Sequence, residues 1–134
     1  MRIVCDYEKC TGCLACVVTC IDHHYPADSQ DALSRRLYVK SVQSSGYTKY
    51  DTTSCHHCKY AACLEICPRH AIRRDSRGWI TVDPTLCIGC KACRSACPFD
   101  IPRFGPDRKM VKCDGCGGDP SCVSICPNGA LSAQ

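Results

Sequence analysis

Seventeen cysteines in 134 residues dominate the chemistry this chain can do. Sixteen of them fall into four quartets, and Cys5 is left over. The quartets are Cys10-x2-Cys13-x2-Cys16-x3-Cys20, Cys55-x2-Cys58-x4-Cys63-x3-Cys67, Cys87-x2-Cys90-x2-Cys93-x3-Cys97 and Cys113-x2-Cys116-x5-Cys122-x3-Cys126. The last three end in Cys-Pro, at Pro68, Pro98 and Pro127. Thiolates at this spacing are soft metal ligands. Three of them on one tight loop reach three corners of one metal–sulfur cubane, and the fourth, starting a helical turn, points toward a neighbouring cluster. Such cross-ligation makes quartets work in pairs.

The run C-x2-C-x2-C-x3-C-P is the bacterial [4Fe–4S] pattern. Zinc ribbons instead pair two C-x-x-C knuckles a dozen or more residues apart, and a disulfide framework fits an odd cysteine count poorly. Sixteen thiolates therefore predict four [4Fe–4S] clusters. The opening Met1-Arg2-Ile3-Val4-Cys5 has no apolar leader core and no twin arginine, and no stretch is long enough for a membrane span. These features predict a cytoplasmic, reducing environment, in which thiols bind metal rather than each other.

The elements that position the quartets are short. Cysteine supplies much of the 45% hydrophobic content, so ordinary apolar side chains are only about a third of the chain, thin for this length. After Cys67-Pro68 the polar Asp75-Ser76-Arg77-Gly78 reads as a turn between two short strands, and Pro127 to Leu131 repeats the first half of that unit. The cysteine-free insertion 21–54 predicts a hairpin of Leu37–Val42 and Tyr47–Thr52 around Gln43-Ser44-Ser45-Gly46. Apolar helical periodicity never lasts beyond about two turns, so helices are expected as single short pieces after the cluster loops.

Other residues carry smaller expectations. His56 and His57 lie inside the Cys55/Cys58 loop and His23 and His24 just after Cys20; each quartet being complete, they are read as donors to cluster sulfur or as solvated side chains rather than ligands. Cys5 is read as a small buried hydrophobe on a first strand, and Trp79 and the six tyrosines as packing that covers clusters. Ten Lys/Arg against four Asp between residues 69 and 112 form either a solvated face that offsets cluster charge or a docking surface. The formal charge is +4, but four oxidised sites of about −2 each would bring the loaded chain to about −4, which argues against nucleic acid. No nucleophile–base pair, paired carboxylates, Gly-rich phosphate loop or flavin fingerprint is present, so the chain is expected to be non-catalytic.

The quartets, the run Cys97-Pro98-Phe99-Asp100-Ile101-Pro102-Arg103-Phe104 and the following Lys112-Cys113-Asp114-Gly115-Cys116 resemble the four-cluster electron-transfer subunits of molybdenum- or tungsten-pterin oxidoreductases. Those include the iron–sulfur subunits of dimethyl sulfoxide reductase, formate dehydrogenase and formate hydrogenlyase, and the small subunit of tungsten aldehyde oxidoreductase. The resemblance spans 5–131. The short Cys116–Cys122 loop and the end of the sequence soon after Cys126 are expected of the compact members rather than the membrane-docked ones.

The resemblance implies an α+β fold of two interleaved bacterial-type 2[4Fe–4S] ferredoxin modules with short hairpins and short helices. One module is 1–20 plus 98–134, the other is 55–97, and 21–54 is a hairpin insertion within a single domain of 1–134. It also implies the ligand sets: Cys10, Cys13, Cys16 and Cys126; Cys20, Cys113, Cys116 and Cys122; Cys55, Cys58, Cys63 and Cys97; and Cys67, Cys87, Cys90 and Cys93. With Cys at position 90, the last set implies four irons rather than three. The implied partners are a catalytic metallopterin subunit and a second electron carrier or flavin subunit. A diffusible polyferredoxin serving several enzymes is the alternative. A redox-responsive regulator would need a DNA-binding or signalling segment, and none is visible.

Overall fold

The computed structural model describes residues 1–26, 32–42, 46 and 48–134. Its elements are short, as a chain with few ordinary apolar residues requires. In order they are β1 (Ile3–Cys5), α1 (Ala15–His24), β2 (Leu37–Val42), β3 (Thr48–Thr53), α2 (Ala62–Ile66), β4 (Ile72–Arg74), β5 (Ile80–Val82), α3 (Ala92–Ala96), β6 (Arg103–Phe104), β7 (Met110–Val111), a 3-10 turn (Gly115–Gly118), α4 (Ser121–Ile125) and β8 (Leu131–Ala133). The strands form antiparallel pairs β1–β8, β2–β3, β4–β5 and β6–β7.

Two similar units emerge from this order. In one, α1 packs on α4 and the terminal strands pair as β1–β8, with Ile3 opposite Ala133 and Cys5 opposite Leu131. In the other, α2 packs on α3 beside the β4–β5 hairpin, with Ile72 opposite Val82. The hairpin is set by its turn: the Asp75 carboxylate accepts the amides of Arg77 (2.8 Å) and Trp79 (3.0 Å). The β2–β3 hairpin lies with β3 against β1.

The core is split into small apolar groups with cysteines among them. Ile3, Trp79 and Leu131 bury with Cys16 and Cys122; Ala61, Ile72, Ile80 and Met110 with Cys93; and Ile101 with Cys55 and Cys113. Trp79 is only 1% exposed. At about 25 cal/mol per Å² of apolar area, groups this small contribute little individually to stability.

Several sequence expectations change here. The first helix, α1, runs ten residues, nearly three turns, because His24 ties its last turn: its Nδ1 lies 2.8 Å from the Cys20 carbonyl and its Nε2 3.1 Å from Asp114. The second insertion strand ends at Thr53, one residue later than expected, while Tyr47 and the turn residues Gln43–Ser45 lie outside the described residues. Tyr7, Tyr38 and Tyr60 are exposed, Tyr60 to 83%, so they are not interior packing, although Tyr60 does line the cavity of Cys55, Cys58, Cys63 and Cys97. Tyr50 does pack, with its ring 2.6 Å from where a Cβ on Gly12 would stand.

Candidate metal centres

The two C-x2-C-x2-C loops share one backbone. Gly12 and Leu14 in the first, and Gly89 and Lys91 in the third quartet, all have positive φ between 65° and 73°. Glycine suits the first of each pair because a Cβ would strike Tyr50 at Gly12 and the Arg108 carbonyl at Gly89. Left-handed residues at alternate positions curl the loop and turn its amides inward, a concavity suited to an anionic group. Leu14 and Lys91 then open α1 and α3. The other ends are matched too. Cys67, Cys97 and Cys126 follow α2, α3 and α4, and the proline after each stops the helix. Four residues on, the Ala71 amide donates to Cys67 Sγ (3.4 Å) and the Ala130 amide to Cys126 Sγ (3.3 Å).

Three cavities collect three of the expected cysteine sets. One is lined by Cys10, Cys13, Cys16 and Cys126, with Cys5 and Thr52. A second is lined by Cys55, Cys58, Cys63 and Cys97, with His56, Phe99 and Lys112. A third is lined by Cys67, Cys87, Cys90 and Cys93, with Arg69, Lys91, Phe104 and Met110. The remaining cysteines gather around Cys122: burial pushes its thiol up to about 11 against the opposing Arg36 charge, and Cys113, Cys116 and Cys20 add to the rise. All seventeen thiols are free, and only Cys13 and Cys90 are exposed.

The surroundings of the sulfurs are uneven. Arg36 and Lys112 are both buried, each 3% exposed, and neither has a carboxylate partner among the described residues. Arg36 donates from Nη1 to Ser54 Oγ (3.1 Å) and Cys122 Sγ (3.9 Å), and from Nη2 to the Thr52 carbonyl and hydroxyl (both 3.0 Å). Lys112 donates from Nζ to the carbonyls of Ile80 and Cys113. Beside the second set, His24 is pushed up to about 12 by Asp114, with Cys116 and Cys20 adding. Burial raises Asp114, but His24, the Cys116 amide and Arg35 outweigh it and hold the carboxyl well below the usual range. Burial likewise raises Cys20, yet His24 and the Arg35 amide outweigh it and lower the thiol.

The histidines divide. The two ring nitrogens of His24 are taken by the Cys20 carbonyl and Asp114, with Cys20 Sγ 3.9 Å from Nδ1. His23 meets Ser121 Oγ at 3.0 Å, and both rings offer a nitrogen within 4.8 Å of Cys116 Sγ. His57 departs from the expectation of a sulfur donor or a solvated ring. It is buried, its Nδ1 accepts the Ile80 amide at 2.8 Å, and burial lowers it to about 3, so it stays neutral and ties β5 to the second quartet loop. His56 stacks on Phe99 with ring centroids 3.9 Å apart. Cys5 is half-buried on β1, pushed up to about 11 first by burial. Sequence reasoning missed Arg36, whose only advance signal was an Arg in a cysteine-free insertion, and counted Lys112 in a basic surface segment although it is buried.

These features fit an iron–sulfur group. Soft thiols line the cavities, and two buried cations without a described carboxylate would be costly unless an anionic group faced them. No helix among the described residues is long and apolar enough to cross a membrane.

Comparison with known proteins agrees. Residues 47–134 match the 4Fe-4S dicluster domain, and residues 7–20 a 4Fe-4S binding domain. The B subunit of the anaerobic dimethyl sulfoxide reductase of Haemophilus influenzae is 35% identical over 94% of this protein and 69% of its own length. The thiosulfate reductase electron transfer subunit PhsB of Salmonella typhi is 34% identical over 94% of this protein and 71% of its own length. The putative electron transport protein YsaA of Escherichia coli is 38% identical over 98% and 88%.

Proposed function

The chain belongs to the family of 4Fe–4S electron-transfer subunits that includes those of the two reductases, and on that premise we propose that it holds four [4Fe–4S] clusters in a relay between a catalytic subunit and a second carrier. It is a non-catalytic iron–sulfur subunit of an oxidoreductase. The proposed ligands are Cys10, Cys13, Cys16 and Cys126 at the first site; Cys20, Cys113, Cys116 and Cys122 at the second; Cys55, Cys58, Cys63 and Cys97 at the third; and Cys67, Cys87, Cys90 and Cys93 at the fourth. What carries this reading is the separation of the cysteines into three distinct cavities and a fourth group around Cys122.

Bound there, the clusters supply one-electron storage at potentials that the protein tunes. The chain's part is to hold them, exclude water and set the charge around each. Residues 1–20 with 98–134 and residues 55–97 form the two interleaved ferredoxin modules, and 21–54 is the insertion. The matched pairs α1–α4 and α2–α3, each beside its own two-stranded sheet, support that division. The catalytic partner is a molybdenum- or tungsten-pterin subunit, and the working compartment is the cytoplasm.

The test is anaerobic purification with metal analysis. About sixteen iron and sixteen sulfide per polypeptide are expected, with a broad absorbance that bleaches on reduction. About half that iron, or stoichiometric zinc, ends the four-cluster reading. Expressed with its neighbouring genes, the protein is expected to co-purify with a pterin-containing subunit.

A further inference from the structure

Within the 21–54 insertion, Arg36 is the most deeply buried charged group among the described residues. Three consecutive residues place it there. Ser34 Oγ donates to the Val17 carbonyl of α1 (3.1 Å) and accepts the Arg36 amide (3.2 Å). The Arg35 amide donates to Cys20 Sγ (3.4 Å), while its guanidinium meets Asp114 (3.4 Å) and the Lys112 carbonyl (3.1 Å). Anchored on both sides, Arg36 enters the interior, where Ser54 and Thr52 accept its Nη protons.

From there it faces two cysteine sets. Its Nη1 donates directly to Cys122 Sγ at 3.9 Å. Its Nη2 donates to the Thr52 hydroxyl, which lies 3.7 Å from Cys16 Sγ; a hydroxyl accepting from a guanidinium keeps its own proton to give a thiolate. A planar fork of donors can serve both directions at once, which a lysine ammonium on a flexible stem does less well. Arg36 Nε is buried without a partner among the described residues, a donor left unsatisfied beside a charge with no described carboxylate to offset it.

We propose that Arg36 is the shared counter-cation of the first and second cluster sites, and that seating it between them is what the insertion contributes. The inference rests on the four-site reading. An electron leaving one of these sites for the other removes one negative charge from one side of the guanidinium and adds one to the other. A cation facing both therefore favours the reduced form at each and changes little during the exchange. Arg36 is a positioning and tuning residue, not a ligand.

The test uses the full-length protein purified without oxygen, by iron analysis and EPR-monitored redox titration. Wild type with about sixteen iron secures the four-site reading; fewer defeats that reading before any variant is made. Arg36→Met is expected to keep its iron while two of the four midpoint potentials move negative and two stay in place, and Arg36→Lys to recover part of the shift. Full iron with four unchanged potentials, or an equal shift of all four, overturns the proposal. Should Arg36→Met fail to hold iron, Thr52→Val decides. It leaves the Thr52 carbonyl and Ser54 to Arg36 and is expected to lower one potential only, that of the site containing Cys16. No shift in Thr52→Val with full iron overturns the proposal as well.

Discussion

The two halves of the molecule share a backbone and differ in charge. Around α1, α4 and the insertion hairpin, sulfur sits among Arg36 and the linked Arg35–Asp114–His24 group, and Lys112 stands at the boundary between the halves. Around α2, α3 and the β4–β5 hairpin, sulfur sits among Ala61, Ile72, Ile80 and Met110, and no charged residue of those elements is buried. Burial raises Cys93 to about 11, with Cys63, Cys87 and Cys90 adding to it. Loop geometry is thus duplicated while electrostatics are not. Identical quartets can hold identical clusters at different potentials, and what sets them apart comes from residues outside the cysteine pattern.

The largest expected effect is that of removing iron. Metal–thiolate bonds contribute on the order of 10 kcal/mol per structural site in small metal-dependent domains, which exceeds what these apolar groups supply. Without the clusters, the charged half is also left with Arg36, and the boundary with Lys112, buried and uncompensated. Hydrogen exchange after chelation is expected to show protection lost throughout α1, α4 and the β1–β8 pair, with remnants confined to the β4–β5 hairpin. A cooperative apo fold, or the reverse order of loss, would show that buried charge does not separate the halves.

Next in size is Lys112, at the boundary. Its ammonium bridges the Ile80 and Cys113 carbonyls and lowers both Cys63 and Cys113 against the rise that burial causes. Lys112→Met removes two bonds from a charged donor, costing about 3 kcal/mol. It is expected to reduce thermal stability and to shift the second and third sites negative by tens of millivolts, leaving the fourth alone. A shift confined to the fourth site would contradict the placement.

A smaller effect separates the exposed ends. Cys90 opens beside Arg69 and Lys91, whereas among the described residues no charged side chain lines the cavity of Cys13. An anionic oxidant such as Fe(EDTA) is expected to draw electrons faster through the Cys90 end. Arg69→Gln with Lys91→Gln should slow stopped-flow oxidation several-fold at low salt and hardly at about 0.5 M, where screening is nearly complete. Equal rates for wild type and variant at low salt would assign those charges to simple solvation.

How much of this was legible depended on the range of the interactions. The quartets are local in sequence, so Cys10 to Cys16 and Cys87 to Cys93 announce their loops, and the Asp75–Gly78 turn is fixed by its own carboxylate. The length of α1 depends on His24 meeting Asp114 ninety positions away, which no periodicity contains. Burial of Arg36 depends on Ser54, Thr52 and Cys122, and the neutral His57 on a β5 amide. The β6–β7 pair, two residues per strand, is too short to show alternation. Long-range polar contacts, the ones that distinguish the halves, are what a single sequence hides.

The smallest effect tests whether the apolar half has any electrostatic switch of its own. Asp75 is half-buried; burial would raise its carboxyl, but the amides of Arg77 and Trp79, the Arg77 charge and the Gly78 amide outweigh that and lower its pKa. A folded pKa below the unfolded value means the carboxylate adds stability above the ordinary carboxylate range, and that this contribution is lost as pH falls through the folded value. Solvent screening keeps it small. Amide exchange at Arg77 and Trp79, corrected for the intrinsic pH dependence, is therefore expected to show protection constant from about pH 7 to about 5 and declining below about 4. Asp75→Ala should lower protection at neutral pH and remove the decline. Asp75→Asn, which keeps an acceptor but no charge, should retain part of the protection and also show no decline. If Asp75→Ala followed the wild-type curve, the turn would be held by the flanking strands alone, and the apolar half would carry no acid-sensitive contact at this hairpin.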